Sequence, residues 1–314
     1  MLLFLFMYII SFVLVLSCND WFILWLGLEM NMICYIMLIY KRYDLMNLES
    51  CYKYFFLQSL SSAFFLMLLF INFFKINVLV LMMLMLKMGA GPFYFWFPSV
   101  VNGMNWVSGF LLMSIQKFMP LLIVTMFIEP ILWKIGLISL FIGMYGSFNQ
   151  INIKMLVAYS SIHHLGWMLV CMMVDNLYWL LYLFIYSLLL ISIIYLLIDE
   201  EIISIMMIYK MKNKWWFVTG MLSMAGMPPL LGFFLKMLTL HYIFMIDIFY
   251  VILLLLMSVV MFYIYIRLLY MIIMGYSDEM MWSSLIIGNK YLKSDVFSLL
   301  GMLILLMIGL MLMF

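Results

Sequence analysis

Ionisable side chains stand inside long apolar runs. Glu29 lies in "WFILWLGLEMNMICYIML", Lys87 in "VLMMLMLKMGAGPFYFWF" and Lys117 in the run that holds "QKFMPL". His164 lies in "LVAYSSIHHLGWMLV" and Lys236 in "GMPPLLGFFLKM". A lysine at the centre of a bilayer costs about 2.5–3.5 kcal/mol on insertion scales. Residues kept at that cost mark ion or proton pathways, or they pin helices together by a salt bridge. The two readings need the same residue types. Burial disfavours the charged form of a lysine and a nearby carboxylate favours it. A buried lysine whose carboxylate partner moves can therefore exchange a proton. For His163 and His164, a satisfied core imidazole stands beside the relay reading.

Each lysine shares its run with helix breakers. Pro92 and Pro98 belong to the run of Lys87, Pro120 to that of Lys117, and Pro228 and Pro229 to that of Lys236; Pro130 closes a run. A broken helix in the membrane leaves backbone groups unpaired, which is tolerated only inside protein or beside a wet cavity. It also brings helix ends to a charged site. Proline and glycine are common in membrane helices in any case, but here breaker and lysine coincide in all three runs.

The elements that hold these residues follow from composition. Of 314 residues 70% are hydrophobic and 9% charged, too few polar groups to clothe a soluble domain of this size. The runs are continuous rather than alternating, which excludes a β-barrel and predicts an all-α polytopic membrane protein. Cys18, Cys34, Cys51 and Cys171 form no C-x-x-C pair, so neither a zinc nor an iron–sulfur site is expected, nor a disulfide framework. The net charge of +2 gives no argument for nucleic acid as a partner. Leu2–Ser17 has no basic flank or small-residue cleavage site and reads as a retained first span. Met occurs 38 times and Phe 28 times, the usage of an AT-rich genome and a mitochondrial code, although Met is also a flexible core filler.

A span needs ~20 apolar residues. The runs place about eleven spans at 2–17, 21–40, 54–73, 77–97, 105–128, 131–148, 152–173, 177–198, 215–244, 248–270 and 295–314. The fourth should be interrupted near Gly89–Pro92, the fifth kinked near Pro120 and the ninth broken at Gly226–Pro229. The longest loops are 41–53, 199–214 and 271–294; the second is either an interfacial amphipathic helix or a solvated loop. With the N-terminus inside, the inside loops hold Lys41, Arg42, Lys53, Lys154, Lys210, Lys212, Lys214, Arg267, Lys290 and Lys293, and the outside loops only Lys75 and Lys134. That bias predicts an inside N-terminus and, with an odd number of spans, an outside C-terminus. Lys87, Lys117 and Lys236 remain, each about ten or more residues from a span end and so roughly 15 Å deep, near the midplane of a ~30 Å core. Glu29 and His164 share that depth.

Spans four and nine each pair a lysine with a Gly/Pro break, run in opposite directions and stand five spans apart. The pattern predicts two inverted five-helix repeats within one transmembrane domain, 1–128 and 131–270, with an appended C-terminal helix at 295–314.

In order along the chain, "WLGLEMNM", "LKMGAGPFYFWFP", "QKFMPL", "NQINIKMLVAYSSIHHLGWML" and "GMPPLLGFFLKM" resemble the antiporter-like membrane subunits of respiratory complex I in their mitochondrially encoded form. The resemblance covers about residues 20–240 and beyond them is one of hydropathy only. It implies two inverted five-helix units with discontinuous helices, and a proton-translocating role coupled to electron transfer from NADH to ubiquinone on other subunits. It places the key glutamate on Glu29, the first broken-helix lysine on Lys87, the central lysine on Lys117, the second broken-helix lysine on Lys236 and a relay histidine on His164. Tyr94 stands where the family often has His, and Leu235 where proline is common.

The resemblance implies no cofactor in this chain, with NADH, FMN, iron–sulfur clusters and ubiquinone on partner subunits. Expected partners are the other membrane-arm subunits of complex I and membrane lipids, cardiolipin among them. The expected location is the mitochondrial inner membrane, N-terminus on the matrix side and C-terminus on the intermembrane-space side. Three other readings compete. A stand-alone cation/proton antiporter shares the fold but fits the motifs less well. A haem or quinone protein needs paired axial ligands, and His163, His164 and His241 form no such pair. A structural subunit whose charges lock the packing looks the same in sequence as a relay. In the relay reading, Glu29 and Lys87 form an ion pair that opens and closes, and the proton passes by water to Lys117 and then toward Lys236.

Overall fold

In lipid the backbone must satisfy its own hydrogen bonds, and apolar runs of this length do so as helices. The computed structural model describes residues 2–18, 20–70, 76–174, 177–199, 208, 214–228, 230–244 and 248–274. Among the described residues the fold is all-helical: α1 (Leu2–Ser17), α2 (Trp21–Ile39), α3 (Leu45–Phe70), α4 (Ile76–Met88), α5 (Trp96–Gly103), α6 (Trp106–Met113), α7 (Ile115–Val124), α8 (Ile131–Ser147), α9 (Ile153–Val174), α10 (Tyr178–Asp199), α11 (Lys214–Ala225), α12 (Leu231–Phe244) and α13 (Ile248–Met274). Five stretches, within α2, α6–α7, α9, α10 and α13, are long and apolar enough to cross a membrane. Leu3, Phe6 and Val13 on α1, Phe184 on α10 and Leu256 and Val259 on α13 are exposed, an apolar surface that suits lipid and not water.

The expected breaks in the fourth and ninth spans separate α4 from α5 and α11 from α12. Three boundaries differ from expectation. The loop at 41–53 is helical from Leu45 onward. Asp44 starts that helix, its Oδ1 accepting the Asn47 N–H at 3.4 Å, and Glu49 pairs with Lys53 one turn on at 2.5 Å. Hydropathy stops where the apolar residues stop, and the helix does not. In the fourth span, the helix after the break runs to Gly103 rather than ending at 97. In the fifth, the interruption falls at Ser114, upstream of Pro120, which sits inside α7. The Ser114 hydroxyl donates to the Phe110 carbonyl at 2.7 Å, and the Ser114 N–H goes to the same oxygen at 3.0 Å. Such back-bonding bends helices. The eleventh span at 295–314 and the loop 271–294, apart from the end of α13, lie outside the described residues, as does most of 199–214.

Packing divides the chain into two units, Met1–Gly143 with Val157–Leu177, and Met144–Leu156 with Tyr178–Phe314. In the first, α3 packs on α2, α4 and α5, and α4 on α7; in the second, α11 packs on α10, α12 and α13. Packing thus groups most of α8 and α9 with the first helices, whereas the expected repeat boundary falls before α8.

Candidate functional site

The first break is built by a glycine and by side chains that take over the carbonyls it frees. Gly89 ends α4 at φ +69°, a conformation that a residue with a Cβ rarely adopts. The Gly89 N–H reaches the Leu86 carbonyl at 3.3 Å and the Ala90 N–H reaches Met85 at 3.0 Å, the paired bonds of a Schellman helix end. Two neutral side chains also donate to carbonyls of the last turn. Trp96 Nε1 donates to the Leu86 carbonyl at 3.1 Å, and Gln58 Nε2 donates to the Lys87 carbonyl at 2.9 Å.

Lys87 occupies the last turn of α4, where the helix dipole favours a cation. It is buried, and among the described residues its ammonium makes no hydrogen bond to protein. Lys87 lines a cavity of about 20 Å³, whose polar lining is Asn31, Tyr54, Gln58, Lys87, Gln116 and Lys117. A polar cavity of that size holds about one water. Lys117, only 2% exposed, lines the same cavity. It donates from Nζ to the Ser161 carbonyl of α9 at 2.8 Å and stands 4.9 Å from the centre of the Phe97 ring, a cation–π distance. Two buried amines therefore share one water-sized polar space.

Glu29 is half-buried on α2. Its field reaches Lys87, yet no ion pair within 4.0 Å joins the two among the described residues. Glu29 and Lys87 are thus in the same neighbourhood but apart in this conformation. His164 and His163 are both buried on α9. Trp167 Nε1 donates to His163 Nε2 at 3.2 Å, which leaves Nδ1 to donate to the Leu140 carbonyl at 3.3 Å. Both bonds are met by a neutral ring with its proton on Nδ1, the pattern of a packing histidine. The His164 ring lies 6.0 Å from that of His163.

Lys236 belongs to the second unit and reaches back across its own break. Gly226 ends α11 at φ +86°. Its N–H goes to the Ser223 carbonyl at 3.2 Å and the Met227 N–H to Leu222 at 3.2 Å, the same Schellman pair. Lys236 Nζ donates to the Ala225 carbonyl at 2.7 Å, so the lysine itself caps the helix end. A Cβ on Gly232 would stand 1.7 Å from the Ser223 carbonyl oxygen, and this contact clamps the start of α12 against the end of α11.

Sequence reasoning missed the neutral partners. Asn31 and Gln116 exchange amide hydrogen bonds at 2.7 and 3.3 Å, Gln116 also donates to the Tyr8 hydroxyl at 3.1 Å, and Gln58 and Trp96 hold the α4 end. The available signal was an amide amid apolar residues: Asn31 shares "LEMN" with Glu29, and Gln116 is next to Lys117.

Against known proteins, the model of the family described as NADH:quinone oxidoreductase/Mrp antiporter, TM, matches residues 18–77 and 67–264. NADH-ubiquinone oxidoreductase chain 2 of Anopheles gambiae is 36% identical over 76% of this chain and 75% of the relative. The protein of the same name from Aedes aegypti is 33% identical over 91% of this chain and 89% of the relative. A chain in the structure of respiratory complex I from Thermus thermophilus with bound aureothin superposes with a TM-score of 0.79 at 23% identity, covering 98% of this chain and 77% of that one. At that identity the likeness is one of fold. The chain belongs to the NADH:quinone oxidoreductase/Mrp antiporter transmembrane family, alongside the NADH-ubiquinone oxidoreductase chain 2 proteins.

Proposed function

We propose that this chain is a proton-translocating, antiporter-like subunit of the membrane arm of respiratory complex I. In this reading it sits in the mitochondrial inner membrane and couples NADH-to-ubiquinone electron transfer on partner subunits to proton movement. NADH, FMN, iron–sulfur clusters and ubiquinone belong to those partners, and membrane lipids, cardiolipin included, surround the chain. The supporting observation is the cavity shared by Lys87 and Lys117. Glu29 moves toward or away from Lys87 during turnover. When it withdraws, the Lys87 N–H bond breaks, a water takes the proton and a neutral Lys117 receives it. Lys236 and His164 continue the relay. The two broken helices, each ended by the same Schellman pair beside a lysine, suit two inverted five-helix repeats at 1–128 and 131–270 within eleven spans, with a matrix-side N-terminus.

The packing lock is favoured by a different observation. Lys117 and Lys236 each donate to a backbone carbonyl, which a purely structural lysine would also do. The experiment that separates the two measures proton-to-electron stoichiometry in the assembled complex carrying Glu29→Gln, Lys87→Met or Lys117→Met. The relay lowers the ratio in each. A wild-type ratio in all three leaves the lock.

A further inference from the structure

The cavity between Lys87 and Lys117 has a wall that cannot carry a proton but can orient the molecule that does. Asn31 of α2 and Gln116 of α7 face each other as a reciprocal amide pair: Asn31 Nδ2 donates to Gln116 Oε1 at 2.7 Å, and Gln116 Nε2 donates to Asn31 Oδ1 at 3.3 Å. The second N–H of Gln116 goes to the Tyr8 hydroxyl of α1 at 3.1 Å. Both N–H bonds of Gln116 are therefore occupied, and its rotamer and amide orientation are set from two helices. The pair keeps one Asn31 N–H and a lone pair on each amide oxygen in reserve. Both amides line the cavity that the two lysines share.

We propose that the Asn31–Gln116 pair, held by Tyr8, is a positioning device that orients the water between Lys87 and Lys117. An amide neither gains nor loses a proton at neutral pH, so a water fixed by it meets a defined donor and a defined acceptor and cannot hydrogen-bond equally in every direction. The pair also ties α2, which carries Glu29, to α7, which carries Lys117. A shift of α2 thus moves the water's anchor together with the carboxylate. The inference rests on the relay reading and assigns the pair a role in that same site.

The test compares proton-to-electron stoichiometry in assembled complexes carrying Gln116→Met, the swap Asn31→Gln with Gln116→Asn, and Lys117→Met as reference. Gln116→Met keeps the side-chain length and removes the amide. It should lower the ratio to the level of Lys117→Met. The swap keeps two amides and their summed length, and should restore at least half of the loss. A wild-type ratio in Gln116→Met while Lys117→Met is impaired overturns this inference and leaves the relay. A wild-type ratio in Lys117→Met overturns the relay itself. An assembled swap as impaired as Gln116→Met shows that the amides do not act as a pair and also overturns the inference. Tyr8→Phe decides the matter if Gln116→Met does not assemble, because it removes one hydroxyl and leaves the ring. It should lower the ratio by a smaller step, and a wild-type ratio there counts against the proposal.

Discussion

The two broken helices solve one problem in two ways. At both ends a glycine with positive φ closes a Schellman pair, and at both a lysine is buried at the break. At the end of α4, the neutral Gln58 takes the freed carbonyl of Lys87, Trp96 adds a second donor to that of Leu86, and Lys87 lines the cavity. At the end of α11, the Lys236 ammonium takes the freed carbonyl of Ala225 itself. Which donor caps the helix decides whether the lysine proton is committed to backbone or available to water. The Lys236 ammonium caps its own helix end, whereas at the end of α4 a neutral amide does so and Lys87 does not.

The comparison can be strained most by touching the clamp of the second break. Gly232→Ala puts a methyl group 1.7 Å from a backbone oxygen, and no side-chain rotation relieves it. The expected cost is about 3 kcal/mol or more, seen as loss of assembled complex on native gels. Next comes the direct contrast of the two lysines. Lys236→Met strands the Ala225 carbonyl, a loss of about 1–3 kcal/mol, whereas Lys87→Met strands none. Thermal unfolding of the two assembled variants should rank Lys236→Met clearly below Lys87→Met; equal stability would erase the distinction between capping and exchange. Gln58→Leu frees the Lys87 carbonyl and should cost about 1 kcal/mol, with part of the Lys87 function lost if the ammonium turns back to cap the helix. Smallest is Glu49→Gln. Its pair with Lys53 is exposed at both ends, so the change in melting should correspond to less than about 1 kcal/mol and leave proton movement unchanged.

The sequence made the charged residues and the breaks legible because both are costly in lipid and therefore conspicuous: a lysine in "LMLKMGAGP" or a pair of prolines before "LLGFFLK" contradicts its surroundings. Less legible was everything neutral. Gln58, Asn31 and Gln116 cost little to bury once paired, so nothing in the sequence separates an amide that holds a helix end from one that merely packs. Residue type alone points to Pro120 and not to Ser114 because proline is the stronger breaker, while a serine hydroxyl turning onto the Phe110 carbonyl depends on a local rotamer. The start of α3 at Leu45 was lost for the opposite reason: polar residues that support a helix beyond the oil look, by hydropathy, like a loop.

The most direct test of the account replaces Lys87 by arginine. Arginine keeps the positive charge at the end of α4 and can enter the polar cavity, but it does not release its proton in a protein. The measurement is the proton-to-electron stoichiometry of the assembled complex carrying Lys87→Arg. If Lys87 works by passing its proton to water, the ratio falls to that of Lys87→Met although the charge is intact. A wild-type ratio with arginine in place would contradict the relay and show that the charge alone is what this position requires.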